Sequence, residues 1–127
     1  MSNIIIVGIG GFTGAILRYL ISGYIQNLAQ KAAFPYGTLA VNITGCFLIG
    51  LFSQLVESQA GISSELRTFL IIGLLGAYTT YSAFSNETMN LLQNHQFFLA
   101  LINVGTHLFL GLSAVLLGRF TIIALWR

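Results

Sequence analysis

Residues 76–88 read GAYTTYSAFSNET, and they stand inside a chain that is otherwise mostly Leu, Ile, Val, Gly and Phe. Just upstream, FLIIGLLGAY (69–78) is too short to cross a bilayer core, which takes about 20 apolar residues. The span must therefore run on through Thr79 and Thr80. Both are β-branched, both follow Gly73 and Gly76, and both hydroxyls can bond to nearby backbone. A helix break near residues 76–80 is expected. Non-helical backbone at membrane depth is tolerated only where it is buried or lines a cavity, and broken helices aim their free backbone groups at ions. The stretch reads as an ion site.

The surrounding chain supports a membrane setting. Its 127 residues are 56% hydrophobic and 6% charged, against roughly 25% charged in soluble domains. Four apolar segments, near 3–25, 37–57, 66–92 and 97–125, leave no room for a soluble domain. The expectation is an all-α integral membrane protein, a single four-helix domain over residues 1–127. The first segment has no basic stretch before it and more spans follow, so it reads as a retained helix rather than a cleaved signal. Cys46 is the one cysteine, which excludes an intrachain disulfide and argues against a cysteine metal cluster. The sequons at Asn42 and Asn86 fall inside spans and are discarded. No nucleic-acid partner is expected.

Lys/Arg excess in short loops orients membrane proteins. Here one side holds Arg67, Arg119 and Arg127 and the other Arg18 and Lys31, a bias too small to instruct insertion. Insertion both ways is open to such a chain, and that would permit an antiparallel homodimer.

IIIVGIGGFTG (4–14) imitates a dinucleotide-binding turn, but Thr13 occupies the third glycine position and the chain has no Asp. The fingerprint also needs a βαβ unit and an acid about 20 residues on. Gly10 and Gly14 read better as a small-xxx-small face for close helix approach.

Polar side chains within spans normally face a partner or a watery cavity. Arg18, Asn42, Glu87 and Asn103 fall at one depth near the same membrane face, which suggests a wet vestibule. Singly, each has a simpler reading: a snorkelling arginine, a bridging asparagine, a carboxylate solvated at its helix end. Deeper, His107 follows Asn103 one turn on, and packing through a hydrogen bond would explain it as well as a place in the path. After the break, Tyr81 and Phe84 share a face beside Ser82, Ser85 and Asn86. Ring edges are positive, so such a pair could line an anion's path; plain aromatic packing would explain the same pair.

GGFTGAILRY (10–19), GTLAVNITGCFLIG (37–50) and GLLGAYTTYSAFSNE (73–87) together resemble, in order and spacing, the motifs of the small fluoride channel family, Fluc or CrcB. The likeness covers the whole chain. It implies an antiparallel, dual-topology homodimer in the cell (inner) membrane, with two pores for passive, fluoride-selective export. By likeness, Asn42, Tyr81, Ser82 and Phe84 line each pore, and Arg18, Thr80, Glu87, Asn103 and His107 contribute to the vestibule or polar track. The family's structural Na⁺ maps to backbone carbonyls of Gly76 and Thr79 from both copies. The sequence departs from the family pattern at Tyr81, where phenylalanine is usual, at Tyr78 and Ala83, and at Gly111, where many relatives have serine. Nothing resembles a nucleophile, base and oxyanion set, so no enzymatic activity is expected. The alternative function is a small proton-coupled exporter of hydrophobic cations, and a third is a non-transporting membrane subunit that packs through its glycines.

Overall fold

A computed structural model describes residues 2–58 and 61–126; the Arg127 charge counted above lies outside the described residues. Among the described residues, four helical segments are long and apolar enough to cross a membrane, as the hydropathy pattern requires. They are α1 (Ser2–Leu28), α2 (Tyr36–Glu57), an interrupted third span, and α6 (Phe97–Leu125). The third span comprises α3 (Ser64–Arg67), a π-helical stretch (Thr68–Leu75), a single turn α4 (Gly76–Tyr78) and, after two extended residues, α5 (Tyr81–Gln93).

The π-helical stretch has no signature in the hydropathy pattern. Such wide turns are rare and often sit at functional positions. Here the stretch runs directly into the break.

Glycines decide which helices meet. A Cβ on Gly10 would lie 2.7 Å from the Phe69 carbonyl oxygen, and one on Gly14 would run into the Leu74 carbonyl. The α1 face read from the sequence is therefore the seat of the π-helical stretch. Across the molecule α2 packs along α6, where a Cβ on Gly118 would collide with the Phe47 carbonyl and stand 2.7 Å from the Leu51 nitrogen. Backbone cannot move aside as a side chain can. Gly118→Val should separate α2 from α6 and cost about 1–3 kcal/mol or more, read as a lowered midpoint in thermal unfolding of the detergent-solubilised protein.

Between these pairs lies a small core of Val41, Leu75 and Tyr78, flanked by Leu48, Ile49, Phe52 and Leu74. Tyr78 is tied to α2 by a 2.9 Å bond between its hydroxyl and that of Thr44. At one membrane face the α1–α2 turn is held by Gln26, which donates to the Ala32 and Phe34 carbonyls and accepts from the Gly37 amide. At the other, Arg119 and Glu57 form a two-point ion pair at 3.0 and 3.2 Å, joining the ends of α6 and α2. The up-down order thus puts Arg119 where the charge count placed it.

Much of the lateral surface is apolar. Ile9, Phe12, Phe109, Leu112 and Leu116 are all exposed, as suits side chains that meet lipid or another hydrophobic chain.

Candidate permeation site

The break is built by two threonines and one asparagine. The helical ladder ends at Thr79, whose amide and hydroxyl both donate to the Leu75 carbonyl, at 3.1 and 3.0 Å. Thr79 (φ −83°, ψ 155°) and Thr80 (φ −148°, ψ 114°) are then extended. An extended pair inside a membrane leaves peptide groups that lipid cannot satisfy. Asn42 supplies the partners: its Oδ1 accepts from the Thr80 amide at 2.8 Å, and its Nδ2 donates to the Thr80 carbonyl at 3.0 Å. One side-chain amide stands in for the missing peptide neighbour. Thr80 then caps α5, its hydroxyl accepting from the Ala83 amide at 3.2 Å and lying 3.3 Å from the Ser82 hydroxyl.

Two consequences follow from this staple. Because the Thr80 amide is given to Asn42, it does not continue the ladder to the Gly76 carbonyl, and the C-terminal end of α4 stays open. Gly76 is exposed, and a Cβ there would meet nothing closer than the Ile71 oxygen at 3.7 Å. On the other side of the break, the first amides of the 13-residue α5 face back toward Thr80, the positive end of a helix dipole.

Two open cavities meet at Thr80, which lines both. The polar one, about 610 Å³, lies between α1, α2 and α5, with Arg18, Thr38, Ser82, Asn86 and Glu87 on its walls. The apolar one, about 500 Å³, lies between α2, α5 and α6, with Asn42, Cys46, Thr79, Tyr81, Phe84, His107 and Gly111. Tyr81 and Phe84 do share a face, their ring centroids 5.6 Å apart and their planes inclined at 53°. Phe84 in turn lies 4.4 Å from the His107 ring, at 42°. Tyr81 is 80% exposed on the single chain.

The residues read as one depth band are divided by the tertiary structure. Arg18 and Glu87 line the same polar cavity, as expected of a vestibule. They form no ion pair; among the described residues the salt bridge is Arg119–Glu57. Glu87 instead accepts from the Thr38 hydroxyl at 2.7 Å through Oε1, while Oε2 is buried without a partner. Asn42 spends its amide on Thr80, so it borders the apolar cavity and shapes the break.

Asn103 must be corrected outright. It is 0% exposed and lines neither cavity, because its Nδ2 donates to the Thr88 hydroxyl at 2.9 Å in the seam between α5 and α6. Equal depth is not equal azimuth. His107, one turn on, lines the apolar cavity, with Nδ1 2.9 Å from the Asn103 carbonyl oxygen. Ser85 stands outside both cavities, so the expected hydroxyl track keeps Ser82 and Asn86 on the polar side and loses Ser85. Thr38 was missed, although it precedes Asn42 by four residues and so shares its helix face. That spacing was the available signal.

The comparisons with known proteins agree with this architecture. The family model described as CrcB-like protein, Camphor Resistance (CrcB), matches residues 5–119. The protein named fluoride-specific ion channel FluC from Flavobacterium psychrophilum is 46% identical over 118 residues, 93% of this chain and 94% of that one. Fluoride-specific ion channel FluC 1 from Methanosarcina acetivorans is 45% identical over 121 residues, 95% and 91% of the two chains. The FluC of Rhizobium meliloti is 43% identical over 118 residues, 93% and 94%. With one family model covering the helices, the break and both cavity walls, this chain belongs to the CrcB family.

Proposed function

We propose that this multi-pass membrane protein is a fluoride-selective channel that lets the anion leave the cell passively, and that two copies pack antiparallel to complete two pores. The observation that carries the reading is the meeting of a polar and an aromatic-lined cavity at one stapled helix break. Fluoride is small and strongly hydrated, so a pore must replace its water with donors weak enough to release it. Arg18 draws the anion into the polar cavity. Thr38 holds one oxygen of Glu87, and the Ser82 hydroxyl and the first amides of α5 offer donors beside Thr80. Beyond Thr80 the inclined rings of Tyr81 and Phe84 present positive edges in place of fixed charge, so attraction persists without deep trapping. Asn42 acts through Thr80, keeping the break in the geometry that aims these groups.

The open carbonyl end of α4 has the chemistry to hold a hard cation, since unwound carbonyls coordinate Na⁺ in broken transporter helices. Gly76 and Thr79 of both copies would hold one structural Na⁺ between them, where it offsets the negative ends of two facing half-helices. The transport needs no turnover chemistry, and the protein is read as a channel rather than an enzyme. One observation favours the exporter alternative: Glu87 has an unpartnered oxygen beside a cavity, as a proton carrier would.

Liposomes containing the purified protein test both readings. Under a fluoride gradient they should release fluoride rapidly and chloride at the rate of empty vesicles, with no requirement for a pH gradient. Equal release of both halides would remove the fluoride reading, and flux that appears only with an imposed proton gradient would favour the exporter.

A further inference from the structure

Tyr78 is one of the positions where the sequence departs from the family pattern, and it closes the turn whose carbonyls stand open. Its ring is buried in the core with Val41 and Leu75, and its hydroxyl lies 2.9 Å from the Thr44 hydroxyl of α2. The direction of that bond follows from counting protons. Thr44 Oγ1 is also 2.8 Å from the Ala40 carbonyl oxygen; a carbonyl only accepts, and a threonine hydroxyl has one proton to give. That proton goes to the backbone, so Tyr78 donates and Thr44 accepts.

The turn it belongs to, Gly76–Tyr78, is three residues long, and a lone turn fixes its backbone angles for hardly any hydrogen bonding in return. Among the described residues, the Tyr78 hydroxyl makes the one side-chain hydrogen bond that ties residues 76–79 to another helix, because the Thr79 hydroxyl turns back to Leu75. Beside Thr44, a Cβ on Gly45 would run into the Thr79 methyl and stand 3.2 Å from Tyr78 Cδ1. Helix α2 thus seats the turn at both residues. Resting on the cation reading above, we propose that Tyr78 is a positioning residue for the cation: by donating to Thr44 it fixes α4 on α2, and so sets how tightly the carbonyls of Gly76 and Thr79 hold Na⁺. Affinity for a hard cation depends on the rigidity of its oxygen ligands, and carbonyls on an untethered turn can swing away from the ion. Tyr78 lines neither the polar nor the apolar cavity, so its hydroxyl acts on the turn and not on the anion.

The thermal-unfolding midpoint of the detergent-solubilised protein is measured while NaCl replaces the chloride salt of a bulky organic cation at constant ionic strength. A ligand that binds only the folded state raises the midpoint once its concentration passes Kd, so the wild-type midpoint should climb with Na⁺. In Tyr78→Phe the ring stays and the donor is lost, and the climb should begin at Na⁺ concentrations about tenfold higher, the usual scale for losing a group that orients a metal's ligands. A bond that merely stabilised the fold would lower the whole curve without moving it along the concentration axis, and that result overturns the proposal. Thr44→Ser keeps the acceptor and should follow wild type, whereas Thr44→Val removes it and should follow Tyr78→Phe. Should Tyr78→Phe fail to fold, the two Thr44 variants decide, and equal Na⁺ dependence in serine and valine overturns the assignment. Failure of the cation reading shows separately, as a wild-type midpoint that is the same in Na⁺ and in the organic cation, and it takes the role given to Tyr78 with it.

Discussion

Asn42→Leu should abolish fluoride efflux and destabilise the protein by about 2–6 kcal/mol, since each buried peptide group left without a partner costs about 1–3 kcal/mol. Leucine fills a similar volume but removes both the Oδ1 that accepts from the Thr80 amide and the Nδ2 that donates to its carbonyl. Thr80 is itself buried, and the two bonds to Asn42 are buried with it. Without those bonds the extended pair has no reason to persist, and α5 loses the orientation that places Ser82, Tyr81 and Phe84. Chemical unfolding in detergent reports the stability, and fluoride-electrode recordings from liposomes report the flux. Asn42→Asp sharpens the test: it keeps an acceptor for the Thr80 amide and sets a second oxygen against the Thr80 carbonyl. If the aspartate variant were as stable and conductive as wild type, the two-point staple would not be what holds the break.

Phe84→Ile is expected to separate permeation from folding. Phe84 is only partly buried and contacts Tyr81 and His107 across the cavity, so isoleucine should change stability by less than about 1.5 kcal/mol. Efflux should nevertheless fall by about a hundredfold, equivalent to about 2.7 kcal/mol at the barrier, because an aliphatic chain has no positive edge to replace fluoride's water. Size-exclusion behaviour should match wild type while the fluoride electrode records a near-flat trace. Undiminished efflux would take the ring pair out of the mechanism.

The two variants sample different kinds of information. Phe84 and Tyr81 were legible as a pair because three residues of helix bring them to one face, a rule that needs no knowledge of any other segment. The same holds for Gly10 and Gly14, whose four-residue spacing predicted a close helix approach that the structure assigns to the third span, and for the break, read from the β-branched Thr79 and Thr80 after Gly73 and Gly76. Thr38 was legible in principle by the same rule, from its spacing to Asn42. Asn103 shows where the rule ends: its depth was read correctly enough to group it with Arg18 and Glu87, but its direction around the helix axis was not, and α5 arrived on that side with Thr88.

Taken alone, the order of residues determined four membrane spans, an interruption in the third and the family motifs, because hydropathy, helix spacing and β-branching act over a few neighbouring residues. Only the tertiary structure decided that Asn42 closes the break at Thr80, that two cavities rather than one vestibule adjoin it, and that His107 sets its ring against Phe84 with Nδ1 on the Asn103 carbonyl. Inside lipid every peptide and amide must find a partner within the protein. Which partner it finds depends on the segment packed at the same depth and facing it, a fact of packing that no local pattern carries.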